Sequence, residues 1–281
     1  MKIVFLSALF AISLLLSSCF YSSPPVQDVS YAEPPGKFLT IEKDYPKSQV
    51  DGYNLYIPDE YTTGSEDFPV IVFLQGGLAV GGEVDVIFNW ELPNDLKYPT
   101  DLDSEVNQIR LNQFIYVMPH ISIGQFYENI EALKSILTEL SEEYRIDEDR
   151  IYLTGLSRGG HGTWGIASRM PEWFAAIAPI CGAPHGISLT NNLVNIPIWT
   201  SHNTDDRMVP HRHTVVTVNR IEELSGEKFH RTQSIDAVNY EDWDWIFTST
   251  PSKSHDAWSD MYDNPNFYKW LLKYKRADCL F

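Results

Sequence analysis

Short apolar runs recur along the chain, and between them lie stretches in which apolar residues return every three or four positions. Residues 69–74 (PVIVFL), 114–118 (FIYVM), 151–154 (IYLT), 175–180 (AAIAPI) and 196–200 (IPIWT) are such runs. They predict strands covered on both faces. Residues 53–57 (YNLYI), closed by Pro58, predict an earlier strand, and 245–248 (WIFT) a late one. Within 129–144, Ile130, Leu133, Ile136, Leu137 and Leu140 fall on one helical stripe with polar residues opposite. Residues 215–224 and 266–274 repeat that pattern more weakly. Buried strands alternating with amphipathic helices predict a single α/β domain over 38–281, with a mostly parallel central sheet and helices on both faces. Residues 78–108 break the rhythm with glycine turns, prolines and aperiodic aromatics. They predict an insertion over the face that carries the chemistry, either a plain loop or a substrate-shaping lid.

The N-terminus changes the picture. Lys2 precedes an apolar run over 3–16, too short to span a bilayer and suited to the core of a signal peptide. Leu16-Ser17-Ser18-Cys19 resembles a bacterial lipobox, which implies removal of residues 1–18, acylation of Cys19 and an exported, membrane-anchored lipoprotein at the cell surface or in the periplasm. The alternative is an ordinary signal peptide cleaved near Ser18. Residues 19–37 are rich in Ser and Pro and predict a tether.

Composition narrows the class. The 281 residues are 43% hydrophobic and 13% aromatic, enough for one substantial core and unlike a disordered chain. A formal net charge of −17 disfavours nucleic acid and anionic membranes as partners, since phosphate recognition needs clustered Lys and Arg. Contact with a membrane is expected only through the lipid. Cys181 and Cys279 remain beside Cys19; their spacing gives no sign of pairing, and free or buried thiols are expected. No Cys/His spacing of metal type occurs, and nothing calls for a cofactor.

Gly155-Leu156-Ser157-Arg158-Gly159 matches G-x-S-x-G, with a strand over 151–154 before it and a helix-forming stretch over 160–170 after it. In that setting the tight strand-to-helix turn lifts a serine hydroxyl above the sheet, beside a helix N-terminus that favours negative charge. A hydroxyl attacks only when a base takes its proton. In this arrangement an acid and then a histidine follow the serine along the chain. The 196–200 strand leads into Asp205 and Asp206, both placed to orient an imidazole. Of the later histidines, His211 and His213 start the next helix and His230 lies in an expected strand. His255 follows the 245–248 strand in a loop at the carboxyl edge of the sheet. An oxyanion needs two donors. The N–H of Arg158 is one candidate, and the Gln75-Gly76-Gly77-Leu78 loop supplies the other, Gly77 first and Leu78 as the alternative.

The strand plus Gly-Gly loop (VFLQGG), GLSRGGHGTW, HNTDDRMVP and SHDAWSDMY followed by FYKWLL together resemble the α/β-hydrolases of the polyhydroxyalkanoate-depolymerase-like and feruloyl-esterase-like branch, which includes predicted peptidases. The resemblance covers roughly residues 50–275. It implies a catalytic triad of Ser157, Asp206 and His255, with the four-residue step from His202 to Asp206 favouring Asp206 over Asp205. Gln75 stands where such enzymes often carry His, which touches the geometry of the oxyanion loop and not the triad. His161 in the elbow helix fits the family and is read as packing. The expected activity is hydrolysis of a small-molecule or polymer-linked ester, on polysaccharide-linked or aryl acyl groups, with Trp90, Trp243, Trp245 and Trp258 as candidate lining and core packing as the default for most of them. The rival readings are a serine peptidase on the same triad and a non-catalytic surface binding module that retains the fold.

Overall fold

The computed structural model describes residues 32–184 and 191–276. The expected signal peptide, Cys19, most of the tether and Cys279 lie outside the described residues. Among the described residues, nine strands form one sheet in the order β1-β2-β4-β3-β5-β6-β7-β9-β8. They are β1 (Gly36–Glu42), β2 (Val50–Pro58), β3 (Phe68–Leu74), β4 (Ile115–Ile121), β5 (Ile146–Leu156), β6 (Ala176–Ile180), β7 (Ile198–Ser201), β8 (His230–Thr232) and β9 (Trp245–Thr248). β1 and β2 pair antiparallel, as do β2 and β4; every other pairing is parallel. The helices are α1 (Glu60–Thr63), α2 (Glu91–Lys97), α3 (Glu105–Asn112), α4 (Ile130–Glu143), α5 (Arg158–Ala167), α6 (Arg212–Ser225), α7 (Ser259–Tyr262) and α8 (Pro265–Leu272).

The unbroken apolar runs follow from what lies on each face. Along β3, Val70, Val72 and Leu74 point into a core shared with Leu133, Ile136 and Leu140 of α4, Trp164 of α5 and Val218 and Ile221 of α6. Ile71 and Phe73 point the other way, into a core with Leu92 and Leu96 of α2, Met261 of α7 and Phe267, Trp270 and Leu271 of α8. A strand alternates its side chains between faces, so a run with no polar position means two cores. Burying a side chain of this size stabilises by roughly 1.5–3 kcal/mol.

Two regions depart from the sequence pattern. β1 begins at Gly36, inside the last two positions of the Ser/Pro-rich stretch, and pairs along its whole length with β2. Residues 78–108 are largely helical, taking in two short 3₁₀ segments, α2 and the first turn of α3, and they bury Val84, Ile87, Phe88, Leu92 and Leu96. Their apolar residues show no clear period because several short helical turns, each facing the core differently, follow one another.

Candidate active site

β5 runs directly into Ser157, and α5 starts at the next residue. Ser157 sits at φ 54° and ψ −113°, a backbone state costing of order 1–3 kcal/mol. Close packing around the bend enforces it. A Cβ on Gly159 would lie 1.9 Å from the Leu74 carbonyl oxygen, and one on Gly160 would lie 2.2 Å from that of Ile180. Only glycine lets α5 press this closely on the strand ends. The Ser157 N–H donates to the Ile180 carbonyl at 2.9 Å. His161 closes the bend from the helix side, with its Nδ1 2.6 Å from the Ser157 carbonyl oxygen. An imidazole nitrogen that faces a carbonyl carries the proton.

The structure brings Ser157, Asp206 and His255 together from the loops after β5, β7 and β9. His255 Nε2 lies 2.8 Å from Ser157 Oγ, and His255 Nδ1 lies 2.6 Å from Asp206 Oδ2. With Nδ1 donating to the carboxylate, Nε2 keeps the lone pair that faces the hydroxyl. The Asp206 side chain is fully buried, while that of His255 is 19% exposed. Asp206 Oδ1 accepts from the N–H groups of Met208 at 2.8 Å and Val209 at 3.1 Å. Asp205 is exposed. The acid and histidine loops are joined to each other: Asn203 Nδ2 donates to the carbonyls of Ser254 and Asp256 at 3.0 and 2.7 Å, and Asp205 N–H donates to that of Ser252 at 3.0 Å. Trp258 meets the His255 ring edge-on at 5.4 Å.

His202, used above only as a spacing mark, is part of this cluster. Its ring is buried, with Nε2 2.8 Å from the Val209 carbonyl and 3.3 Å from Asp206 Oδ2, and Nδ1 2.7 Å from Thr214 Oγ1. Nε2 faces only acceptors, so it bears the proton and points it at the acid loop. Burial pushes the imidazole down to about 4, against the pull of the Val209 carbonyl and Asp206. The ring is therefore a neutral donor at ordinary pH. Its signal in the sequence is a histidine at the strand end, four residues ahead of the acid.

On the other side of Ser157, the loop after β3 turns through a short helical segment, Gly77–Ala79. Gln75 is buried, and its Nε2 donates to the Ala79 carbonyl at 2.7 Å; this amide spans the loop in place of a histidine. Nothing lies within 4 Å of where a Gly77 Cβ would stand. Arg158 is the first residue of α5, so its N–H has no carbonyl one turn earlier to bond. Its guanidinium reaches the Gly124 carbonyl. Glu91, at the start of α2, lies against the Gly76 N–H, and burial pushes its carboxyl up to about 7. Cys181, just past β6, is buried and forms no disulfide among the described residues.

His211, His230, Trp243 and Trp245 fall elsewhere. His211 bonds Ser249 Oγ and stacks on Phe247. His230 stacks on Trp243, and Trp245 on Phe229. Trp243 and Trp245 stand at the start of β9, the end away from His255, so they do not line this site.

No family model matches the chain. Among solved structures, a thermostable esterase superposes with a TM-score of 0.67 at 24% identity, covering 86% of this chain and 63% of that one. The feruloyl esterase module from Clostridium thermocellum, complexed with sinapinate, superposes with a TM-score of 0.62 at 14% identity, covering 89% and 93%. The chain has the α/β-hydrolase fold. Among proteins of known sequence the likeness is local. A bifunctional acetylxylan esterase/xylanase of Neocallimastix patriciarum is 28% identical over 171 residues, 58% of this chain and 23% of that protein. Poly(3-hydroxyalkanoate) depolymerase C of Paucimonas lemoignei is 37% identical over 54 residues, 19% of this chain and 13% of that one. The chain thus spans less than a quarter of the length of either relative.

Proposed function

We propose that this α/β-hydrolase is a serine hydrolase that cleaves carboxylic esters by acyl transfer through Ser157, His255 and Asp206. The observation that carries the reading is the unbroken hydrogen-bond line from Ser157 Oγ through both nitrogens of His255 to Asp206. Its support in the comparisons is that relatives and structural neighbours are esterases.

Ser157 Oγ attacks the ester carbonyl as His255 Nε2 takes its proton; Asp206 holds the imidazolium that forms. The carbonyl oxygen gains the negative charge and is received by the N–H groups of Gly77 and Arg158, each such donor being worth about 10²–10³ in rate. The imidazolium then protonates the leaving alkoxide, which departs as the alcohol and leaves an acyl-Ser157. Water, deprotonated by His255, attacks that acyl group and releases the acid. His202 touches no reacting atom; it is a positioning residue that holds the Asp206 carboxylate and the Val209 turn.

The substrate class is an acyl ester carried on polysaccharide or an aryl ester. In support, Leu78, Ile123 and Met208 are each exposed on loops after β3, β4 and β7, the strand ends where Ser157 stands, and give that rim an apolar lining. The relatives' names speak of acetylxylan and feruloyl esterases. Residues 1–18 act as the signal peptide, Cys19 carries the lipid, and the stretch from Cys19 up to the start of β1 at Gly36 holds the domain off the membrane, with 78–108 shaping the approach to Ser157. Cys19→Ala should move the protein from the membrane to the soluble fraction. No helix among the described residues is long and apolar enough to cross a membrane.

Ser157→Ala tests the enzyme reading. It should lower turnover of an aryl ester by about 10⁴-fold or more with unchanged thermal unfolding. Faster turnover of aminoacyl amides than of esters by the wild type would replace the esterase with the peptidase, and retained activity in the variant would refute Ser157 as the nucleophile. A folded wild type that neither turns over ester nor takes a fluorophosphonate label on Ser157 would leave a binding module.

A further inference from the structure

Glu91 is unused by the mechanism above, yet three independent features single it out. It is a non-glycine residue at φ 59°, a strained conformation that surrounding structure has to enforce. Its Oε2 is buried with no hydrogen-bond partner, a state rare for native carboxyl groups. Its carboxyl also presses on the oxyanion loop itself. A Cβ on Gly76 would lie 2.8 Å from Leu156 Cδ1 and 3.0 Å from Glu91 Oε1, so Gly76 is clasped between the strand that carries the nucleophile and this side chain.

We propose that Glu91 is a positioning residue for the oxyanion loop and that its protonated, uncharged form is the one that supports turnover. The inference rests on the serine-hydrolase reading. Glu91 braces Gly76, and with it the Gly77 N–H, from one side while Gln75 ties the same loop to Ala79 from the other. A neutral carboxyl does this without cost to the reaction. An ionised one sets a negative charge beside the loop that must receive a second negative charge on the substrate oxygen.

The surroundings offer no relief. The titratable groups around Glu91 are Asp256 after β9, Tyr262 of α7 and Cys181 after β6. Among these described groups none is a cation, and only the Gly76 N–H favours the charged form, while burial opposes it and holds the carboxyl at about 7. The group therefore changes charge within the range where an esterase works. The cost falls on the transition state, since the substrate carbonyl is neutral until attack, so kcat carries the effect and KM moves little.

Glu91→Gln keeps the shape and an acceptor for the Gly76 N–H while removing the charge. The ratio of its kcat for an aryl ester to that of the wild type should be near one at about pH 5.5 and rise to about ten-fold by about pH 8.5. Glu91→Met, which removes charge and acceptor together, should show the same upward trend from a lower starting ratio; it serves if the Gln variant folds poorly. A purely structural role moves the ratio by a factor independent of pH, and that flat result overturns the proposal. Ser157→Ala is assayed in parallel: if it stays active, the hydrolase reading falls, whereas an inactive Ser157→Ala with a flat Glu91→Gln ratio sinks only this inference.

Discussion

Two carboxyl groups flank Ser157, and the chain surrounds them in opposite ways. Asp206 receives two backbone N–H groups, the His255 ring and, at 3.3 Å, the His202 ring. Glu91 has the Gly76 N–H and an oxygen with no partner. Both are largely withdrawn from water, so burial alone does not decide what a carboxyl does. The donors around it do. Asp206 is built to stay an acceptor for one imidazole; Glu91 is left where burial wins.

The sharpest way to break this contrast is to remove charge from each side. Asp206→Asn should lower kcat by about 10⁴-fold, because an amide can stabilise the wrong tautomer of His255. A loss under ten-fold would mean that Asp206 is not the orienting acid. Next in size is His202→Ala. It empties a buried site, leaves the Val209 carbonyl without its partner and takes a donor from Asp206, so chemical denaturation should show a loss of about 2–4 kcal/mol.

The two sides should also answer pH in opposite senses. His202 titrates near 4 in the fold against 6.5 ordinarily, so between those values the unfolded chain binds more protons and stability falls as pH is lowered. Glu91 titrates near 7 in the fold against 4.5 ordinarily, so in its window the folded chain binds more protons and stability falls as pH rises. Glu91→Gln should therefore raise Tm relative to wild type more at about pH 8 than at about pH 5; an equal shift at both would contradict the assignment. The smallest effect belongs to Asp205→Asn. This neighbour of Asp206 is exposed, so stability should change by less than about 0.5 kcal/mol and kcat by less than two-fold.

Much of this is legible in the sequence. The runs at 69–74 and 151–154 announce strands with two covered faces, and GLSRG between a strand and a helix announces a bend. Those signals survive because each is local: an apolar run and a glycine pair constrain the chain within ten residues. β1 was not legible, since an edge strand with half-exposed positions carries no continuous apolar run. The helical turns of 78–108 were missed because none is long enough to show a period. His202 and Glu91 are harder still. A histidine and a glutamate look like ordinary polar residues until the fold puts one under the acid loop and the other against Gly76. Trp243 and Trp245 follow the packing default, for an aromatic near the right strand in sequence can stand at its wrong end.

The central claim is that Ser157 is held in line with an imidazole that deprotonates it. A fluorophosphonate added to the folded protein, followed by peptide mapping, reads that directly. The account predicts one label per chain, on Ser157, lost on unfolding and in His255→Ala. A folded wild-type protein that takes no label, or takes it on another residue, would contradict it.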